Sequence, residues 1–261
     1  MNRAVFVATL GAAPQVVTLT LDALLTKGVP VKRVVVVHTL PDQPPIQQSF
    51  ARLEHEFLHL RPYSEQLIFA PHLLAGENGP LSDVVTPEEI DTAFQNFYTL
   101  LRQLKYGGYQ VHLSLSGGRK TLSLLAMAAA QIILSAEDAL WHIVSPPELL
   151  QSQELHTTHP NAVTLVPIPI VRWGRSSPQN RSRAQDFLAN ELTRAEREIV
   201  MLLLREGLSN NALAHRLGKS PKTVSNQLSS IYAKLQTYYN LPAPPDRVSL
   251  LVLLGNTSHP I

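Results

Sequence analysis

The chain has 261 residues, 44% of them hydrophobic, and no cysteine. That length predicts two domains, one of ordinary size and one small, and the missing thiols exclude a disulfide framework, a thiolate zinc site and a cysteine nucleophile. The net charge is only +2 but is unevenly divided: residues 1–171 hold 10 Lys/Arg and 14 Asp/Glu, residues 172–261 hold 12 and 6, so nucleic acid is expected at the basic second part.

The most apolar run, Leu122 to Leu134, is too short to cross a bilayer and contains Ser123 and Gln131. Ala4 to Ala13 after Arg3 has a trace of signal-peptide character, but Thr9 and Gly11 interrupt it and a first strand explains it better. A cytoplasmic protein without membrane association is expected.

Ala4 to Leu10 reads as a buried strand, followed by a turn at Gly11 to Pro14 with Pro14 at the first helical position. Val17, Leu21, Leu24 and Leu25 mark one face of a helix ending near Gly28. Val31 to His38 is rich in β-branched residues, as a strand buried on both faces should be. A Pro-rich loop, Pro41 to Pro45, leads to a helix over Gln47 to Leu60, and Leu67 to Ala70 is a short third strand. Thr86-Pro87-Glu88-Glu89 starts a helix with a capping residue, Pro at the first position and Glu at the third; it ends at Gly107-Gly108. Gln110 to Leu115 is the fourth strand, Leu122 to Ser135 a helix and Ala139 to Val144 the fifth strand. Val163 to Val171 is a sixth strand that Pro167 and Pro169 confine to an edge. Strands alternating with helices predict an α/β domain, a Rossmann-like mostly parallel sheet covered on both faces.

In such a sheet the first and fourth strands lie side by side, and ligands bind in the crevice at their C-terminal ends. Here both ends carry glycine turns that lead into helices: Thr9-Leu10-Gly11-Ala12 towards Gln15, and Ser116-Gly117-Gly118-Arg119-Lys120-Thr121. The paired glycines permit positive φ and close backbone approach. A helix N-terminus offers free N–H groups and partial positive charge. With two cations and two hydroxyls at the same point, the combination suits phosphate, the alternative being a tight turn with solvated charges. Neither the dinucleotide G-x-G-x-x-G nor a Walker A sequence is present, so an ordinary NAD or ATP site is disfavoured and no cofactor is expected.

Taken together, Val7 to Val17 and Leu115 to Thr121 resemble the ligand-binding domain of CRISPR-associated Rossmann-fold (CARF) proteins, most nearly the group of CRISPR-associated ring nucleases, over roughly residues 1–170. The resemblance implies a homodimer that binds a cyclic oligoadenylate, a second messenger of type III CRISPR antiviral defense, across its two-fold axis, with the tetra-adenylate the ring expected. Some such proteins also cut the ring without metal, the ribose 2′-hydroxyl attacking the adjacent phosphate in line to leave a 2′,3′-cyclic phosphate. Carried onto this chain, the ligand site is Thr9, Leu10, Gly11, Ala12, Gln15, Ser116, Gly117, Gly118, Arg119, Lys120 and Thr121. Arg119 and Lys120 would meet phosphate, Gly117 and Gly118 would let the backbone close on it, and Thr9, Gln15 and Ser116 would orient ribose or base. Lys120 and Ser116 would be the catalytic residues. Relatives often carry a hydroxyl in the first turn where this chain has Ala12-Ala13, which fits binding better than cleavage.

The C-terminal region resembles the helix-turn-helix of LuxR-type regulators. The resemblance rests on Leu192 to Val200 with Thr193 as cap, Gly207 to Ala214, Leu217 to Val224 and Leu228 to Leu235. A scaffold helix, Ser209 to Leu217, and a turn at Gly218 lead into a second helix from Pro221, whose buried stripe is Val224, Leu228, Ile231 and Leu235. That leaves Lys219, Lys222, Thr223, Ser225, Asn226 and Ser229 for double-stranded DNA, with Lys234 able to reach a phosphate. Ser225 and Gln227 stand where the LuxR pattern usually has a basic residue and a His, which predicts weaker or differently targeted binding. A helix-turn-helix used for protein contact is the alternative. An inserted Tyr238 to Pro245 precedes a last apolar helix, Asp246 to Leu254, suited to dimerisation. The expected organisation is therefore a CARF-like domain over 1–171, a linker over 172–190 containing Arg172, Arg175, Arg181 and Arg183, and a small all-α helix-turn-helix domain over 191–261. The function implied is a cyclic oligoadenylate sensor coupled to DNA binding and transcription regulation. The alternative is a metal-independent ring nuclease that ends the signal.

His55-Glu56-Phe57-Leu58-His59 matches the zinc protease motif H-E-x-x-H. A catalytic zinc needs a third protein ligand and an open cleft, yet Pro62 ends the helix, nothing supports Glu77 as the third ligand, and the helix is a crossover outside the sheet. No metal site is expected. His112 and His142 read as core or crevice residues. CARF-linked ribonuclease domains rely on an R-x4-6-H motif with no convincing counterpart in residues 190–261, where Arg194 and His215 are far apart.

Overall fold

Ala4, Val5, Phe6, Val7 and Ala8 are all completely buried, because the strand they build has a strand on either side and helices over both faces. This computed structural model describes residues 3–60, 62–63, 66–159, 162–170 and 178–255. The chain divides into two units, Met1–Val171 and Arg172–Ile261.

In the first unit the elements run β1 (Arg3–Thr9), α1 (Gln15–Thr26), β2 (Val31–His38), α2 (Ile46–His55), β3 (Ile68–Leu73), β4 (Ala75–Gly76), β5 (Gly79–Pro80), α3 (Pro87–Tyr106), β6 (Tyr109–Ser114), α4 (Lys120–Ile133), β7 (Ala139–Val144), α5 (Pro147–Ser152) and β8 (Thr164–Ile168). The main sheet has the order β3-β2-β1-β6-β7-β8. Its strands pair in parallel except β8, which returns antiparallel to β7 at the edge, where Pro167 leaves no interior hydrogen bond unmade. As expected, β1 and β6 (the fourth strand of the main sheet) are neighbours, from Arg3 opposite Tyr109 to Val7 opposite Leu113. Thr86 and Glu89 form the expected capping box of α3.

The differences are local. Pro14 occupies the cap position before α1 rather than its first turn. The helix expected over 47–60 changes to a wider π turn at Glu56–Leu60. The β4–β5 hairpin and α5 went unread because they are two and six residues long, too short for a hydrophobic period to show.

The second unit holds α6 (Pro178–Asp186), a π turn (Phe187–Glu191), α7 (Arg194–Glu206), α8 (Asn210–Leu217), α9 (Pro221–Tyr239) and α10 (Arg247–Leu254). Of the linker expected over 172–190, only 178–190 falls within the described residues, and that part is not a linker. Residues 178–190 are helical, Phe187 is fully buried, and Arg183 lies 4.8 Å over the Tyr239 ring while donating to the Tyr238 carbonyl at 2.8 Å. Arg172 and Arg175 lie outside the described residues. Tyr238 and Tyr239, the start of the stretch expected as an insertion, form the end of α9. Of α10, Leu250, Leu251 and Leu254 are fully covered within its own unit, while Val248, Val252 and Leu253 are half-buried.

Candidate ligand site and helix-turn-helix surface

The two glycine turns interlock at the C-terminal edge of β1 and β6. Gly117 and Gly118 take φ of 109° and 70°. A Cβ on Gly117 would stand 2.5 Å from the Thr9 carbonyl oxygen, and one on Gly11 would stand 2.5 Å from the Gly118 nitrogen. The Thr9 hydroxyl donates to the Gly117 carbonyl at 2.7 Å. The expected convergence is therefore built backbone against backbone, and the first task of these glycines is to let one turn seat on the other. Thr9, expected to orient ribose, is fully buried with its hydroxyl in this contact, and Leu10 and Gln15 are also buried. Ala12 lies at the exposed tip of the first turn.

The second turn delivers the chain into α4. Arg119 occupies the cap position with extended backbone, and no side chain caps the helix; α1 likewise has none. By contrast Thr86, Thr193, Ser209, Ser220 and Asp246 cap α3 and α7 to α10. Neither Pro14 nor Arg119 caps its helix with a side chain, and both helices start at the sheet edge where an anion would gain most from the dipole. Lys120 opens α4 and is exposed, with Thr121 half-buried beside it. Arg119, expected on phosphate, is paired instead with Asp83 at 2.6 Å.

Sequence reasoning missed the neighbouring cavity of about 260 Å³. It is walled by Leu10, Leu40, Pro44, Asp83, Arg119 and Leu122, among others. The signal available was the Pro41–Pro45 loop, which leaves β2 beside the switch point. His142, expected as a core or crevice residue, stands beside the second turn. Its Nδ1 lies 2.8 Å from Ser116 Oγ, which accepts the Ile143 N–H at 2.9 Å. Ser116 is buried and His142 exposed. His112 is the core residue expected, its ring parallel to Trp141, which donates to it at 3.1 Å; burial lowers its pKa, a nearby Asp138 opposing.

The H-E-x-x-H stretch is turned to a structural task. Glu56 points inward to His156 Nε2 at 2.9 Å, and His156 Nδ1 meets Asp22 at 2.7 Å, while Tyr63 donates to Asp22 at 2.9 Å. Burial opposes charge on His156, but the two carboxylates outweigh it and its pKa is raised. His55 and His59 stay on the exposed surface, and among the described residues no three His, Cys, Asp or Glu side chains are grouped to hold a metal. No helix among them is long and apolar enough to cross a membrane.

In the second unit the stripe Val224, Leu228, Ile231 and Leu235 is buried as expected. Lys222, Thr223, Ser225, Asn226 and Ser229 are exposed on the other side of α9. Two of the lysines expected at DNA have partners within the chain. Lys234 is held 2.6 Å from Glu196, and Lys219 donates to Gln227 at 3.0 Å. Glu196 closes the α7 capping box and accepts from Ser230 at 2.8 Å, so it ties α9 to the start of α7.

No curated protein matches the chain significantly. Several solved structures show distant likeness, three of them as follows. Enterococcus italicus Csm6 bound to cyclic hexa-2'-fluoro-hexa-dAMP is 12% identical, over 91% of this chain and 56% of that one, with a TM-score of 0.43. Protein VC1899 from Vibrio cholerae is 13% identical, over 97% and 66%, at 0.40. Can2 from Sulfobacillus thermosulfidooxidans in complex with cyclic tetra-adenylate is 9% identical, over 91% and 68%, at 0.34. The chain thus spans little more than half the length of the Csm6 chain and about two thirds of the other two. A helix-turn-helix domain family matches residues 189–229. The family described as CRISPR-associated protein NE0113 matches residues 13–199, well over half of the sequence, and the chain belongs to it.

Proposed function

We propose that the chain is a sensor of cyclic oligoadenylate that passes its ligand state to DNA through the helix-turn-helix. The observation that carries this reading is the joining, in one CRISPR-associated chain, of interlocked turns suited to phosphate and a helix whose polar face is free for a groove. Ring phosphates would lie on the uncapped start of α4 beside Lys120 and compete with Asp83 for Arg119. In a homodimer the ring would lie across the two-fold axis, and closure on it would alter the spacing of two α9 helices. Half-site recognition is geometric, so a small rotation changes affinity.

The test is fluorescence anisotropy of the full chain with the DNA upstream of its own operon, at low salt, with and without cyclic tetra-adenylate. A ligand-dependent change in affinity supports the reading; no binding under either condition overturns the regulator. A second, compatible reading, cleavage of the ring, is favoured by the Ser116–His142 contact.

A further inference from the structure

We propose that His142 is the proton acceptor for cleavage of the bound ring and that Ser116 is its positioning residue. This rests on the cyclic oligoadenylate reading above.

Ser116 is not placed to be the nucleophile. Its hydroxyl is buried and already accepts the Ile143 N–H at 2.9 Å, so it is tied to β7 and poorly placed to reach phosphorus as a nucleophile. An RNA-like ring carries its own nucleophile, the 2′-hydroxyl, and lacks only a base to take its proton. The imidazole beside Ser116 has Nδ1 engaged at 2.8 Å, and the side chain is exposed, which leaves Nε2 as the ring atom available to a ligand. A serine hydroxyl has one proton and two lone pairs. With one lone pair on the Ile143 N–H, Oγ can accept from a protonated Nδ1 or donate to a bare one. The contact therefore survives a change of tautomer, and the ring stays oriented while Nε2 gains and loses a proton. An orienting partner on the second ring nitrogen is the usual requirement for a working histidine base. Lys120 and the uncapped first turn of α4 begin four residues beyond Ser116, at the same sheet edge, where charge on the non-bridging oxygens would be met.

The step balances without a co-reactant. The 2′-oxygen forms a bond to phosphorus as its proton passes to His142 Nε2. The bond from phosphorus to the 5′-oxygen breaks, the 5′-oxygen takes a proton from water, and His142 later returns its own to solvent. The products are a 2′,3′-cyclic phosphate and a 5′-hydroxyl.

The experiment uses the full chain in EDTA with labelled cyclic tetra-adenylate and, separately, cyclic hexa-adenylate, measuring ring binding and single-turnover cleavage. His142→Asn keeps a polar atom near the Nδ1 position but cannot take a proton, and His142→Ala opens space for added imidazole. Both variants should bind the ring within about three-fold of wild type and cleave it at least ~100-fold more slowly, and imidazole should restore part of the rate to His142→Ala. Ser116→Ala should lower the rate with a smaller effect on binding, and thermal melting of each variant separates this from unfolding. His59→Ala, on the exposed surface away from the site, should cleave normally. Wild-type cleavage by His142→Asn overturns the proposal. So does wild-type protein that binds either ring and leaves it intact, although the sensor reading then stands. Failure to bind either ring overturns both.

Discussion

Gly117 is the residue on which the ligand site turns. Its φ of 109° is a conformation that L side chains rarely adopt, and a Cβ there would meet the Thr9 carbonyl oxygen at 2.5 Å. Strain and overlap act together and neither has an easy escape, since the obstacle is backbone. Gly117→Ala should cost more than about 2 kcal/mol, read as a lower denaturant midpoint. Its ligand affinity should fall further than that of an Ala12→Ser variant, whose site is exposed. Glu196 makes the corresponding case in the second unit. Burial alone would raise its pKa, but the Lys234 ammonium, the Thr193 N–H and the hydroxyls of Ser230 and Thr193 outweigh it and hold it at about 2. A carboxyl depressed in the folded state stabilises fully above its unfolded value, and that stability is lost as pH falls through the folded one. The Glu196 contribution, on the order of 2–3 kcal/mol, should therefore fade between about pH 5 and pH 2. Glu196→Gln should lower stability at pH 7 and flatten the acid limb of a stability-versus-pH curve; an unchanged limb would contradict the assignment.

At the scale of elements, what could be read from sequence is what repeats or caps. The stripe on α9 recurs every three or four residues, and Thr86, Thr193 and Ser209 stand where a helix must begin, so those elements were legible. The crossing of the two turns was legible only because two strand ends each carried glycine. By contrast α6 is polar and highly charged, and becomes a helix through tertiary contacts: Ala184 and Phe187 are buried and Arg183 rests on two tyrosines from the end of α9. No local pattern announces such contacts. Ionic pairing was equally hidden, since partners lie 36 residues apart for Arg119 and Asp83 and 38 for Lys234 and Glu196. That pairing divides the lysines of α9 by consequence. Lys222 is exposed, so Lys222→Ala should weaken binding to all duplexes alike and reduce the slope of log affinity against log salt by about 1. Lys234→Ala should chiefly lower thermal stability, because it leaves buried Glu196 without its cation. Salt-titrated anisotropy and melting curves on the two variants distinguish these outcomes.

For the whole molecule the decisive quantity is the coupling between its two units. A sensor that alters DNA affinity through its ligand must, by linkage, have its ligand affinity altered by DNA through the same factor. Typical couplings of 1–3 kcal/mol correspond to factors of about 5–150, well within the reach of calorimetry. Cyclic tetra-adenylate should therefore bind the full chain with a changed dissociation constant when saturating operator DNA is present. The change should match, in size and sign, the ligand's effect on DNA affinity. The comparison must be made at fixed salt, because DNA affinity falls steeply as salt rises. It should also be made with His142→Asn, so that loss of ligand through cleavage does not distort the binding curve. Matching factors would make ring binding and DNA binding one equilibrium. A ring that binds equally well with and without DNA, on a chain that binds both, would leave two independent activities on one polypeptide and remove the regulatory reading.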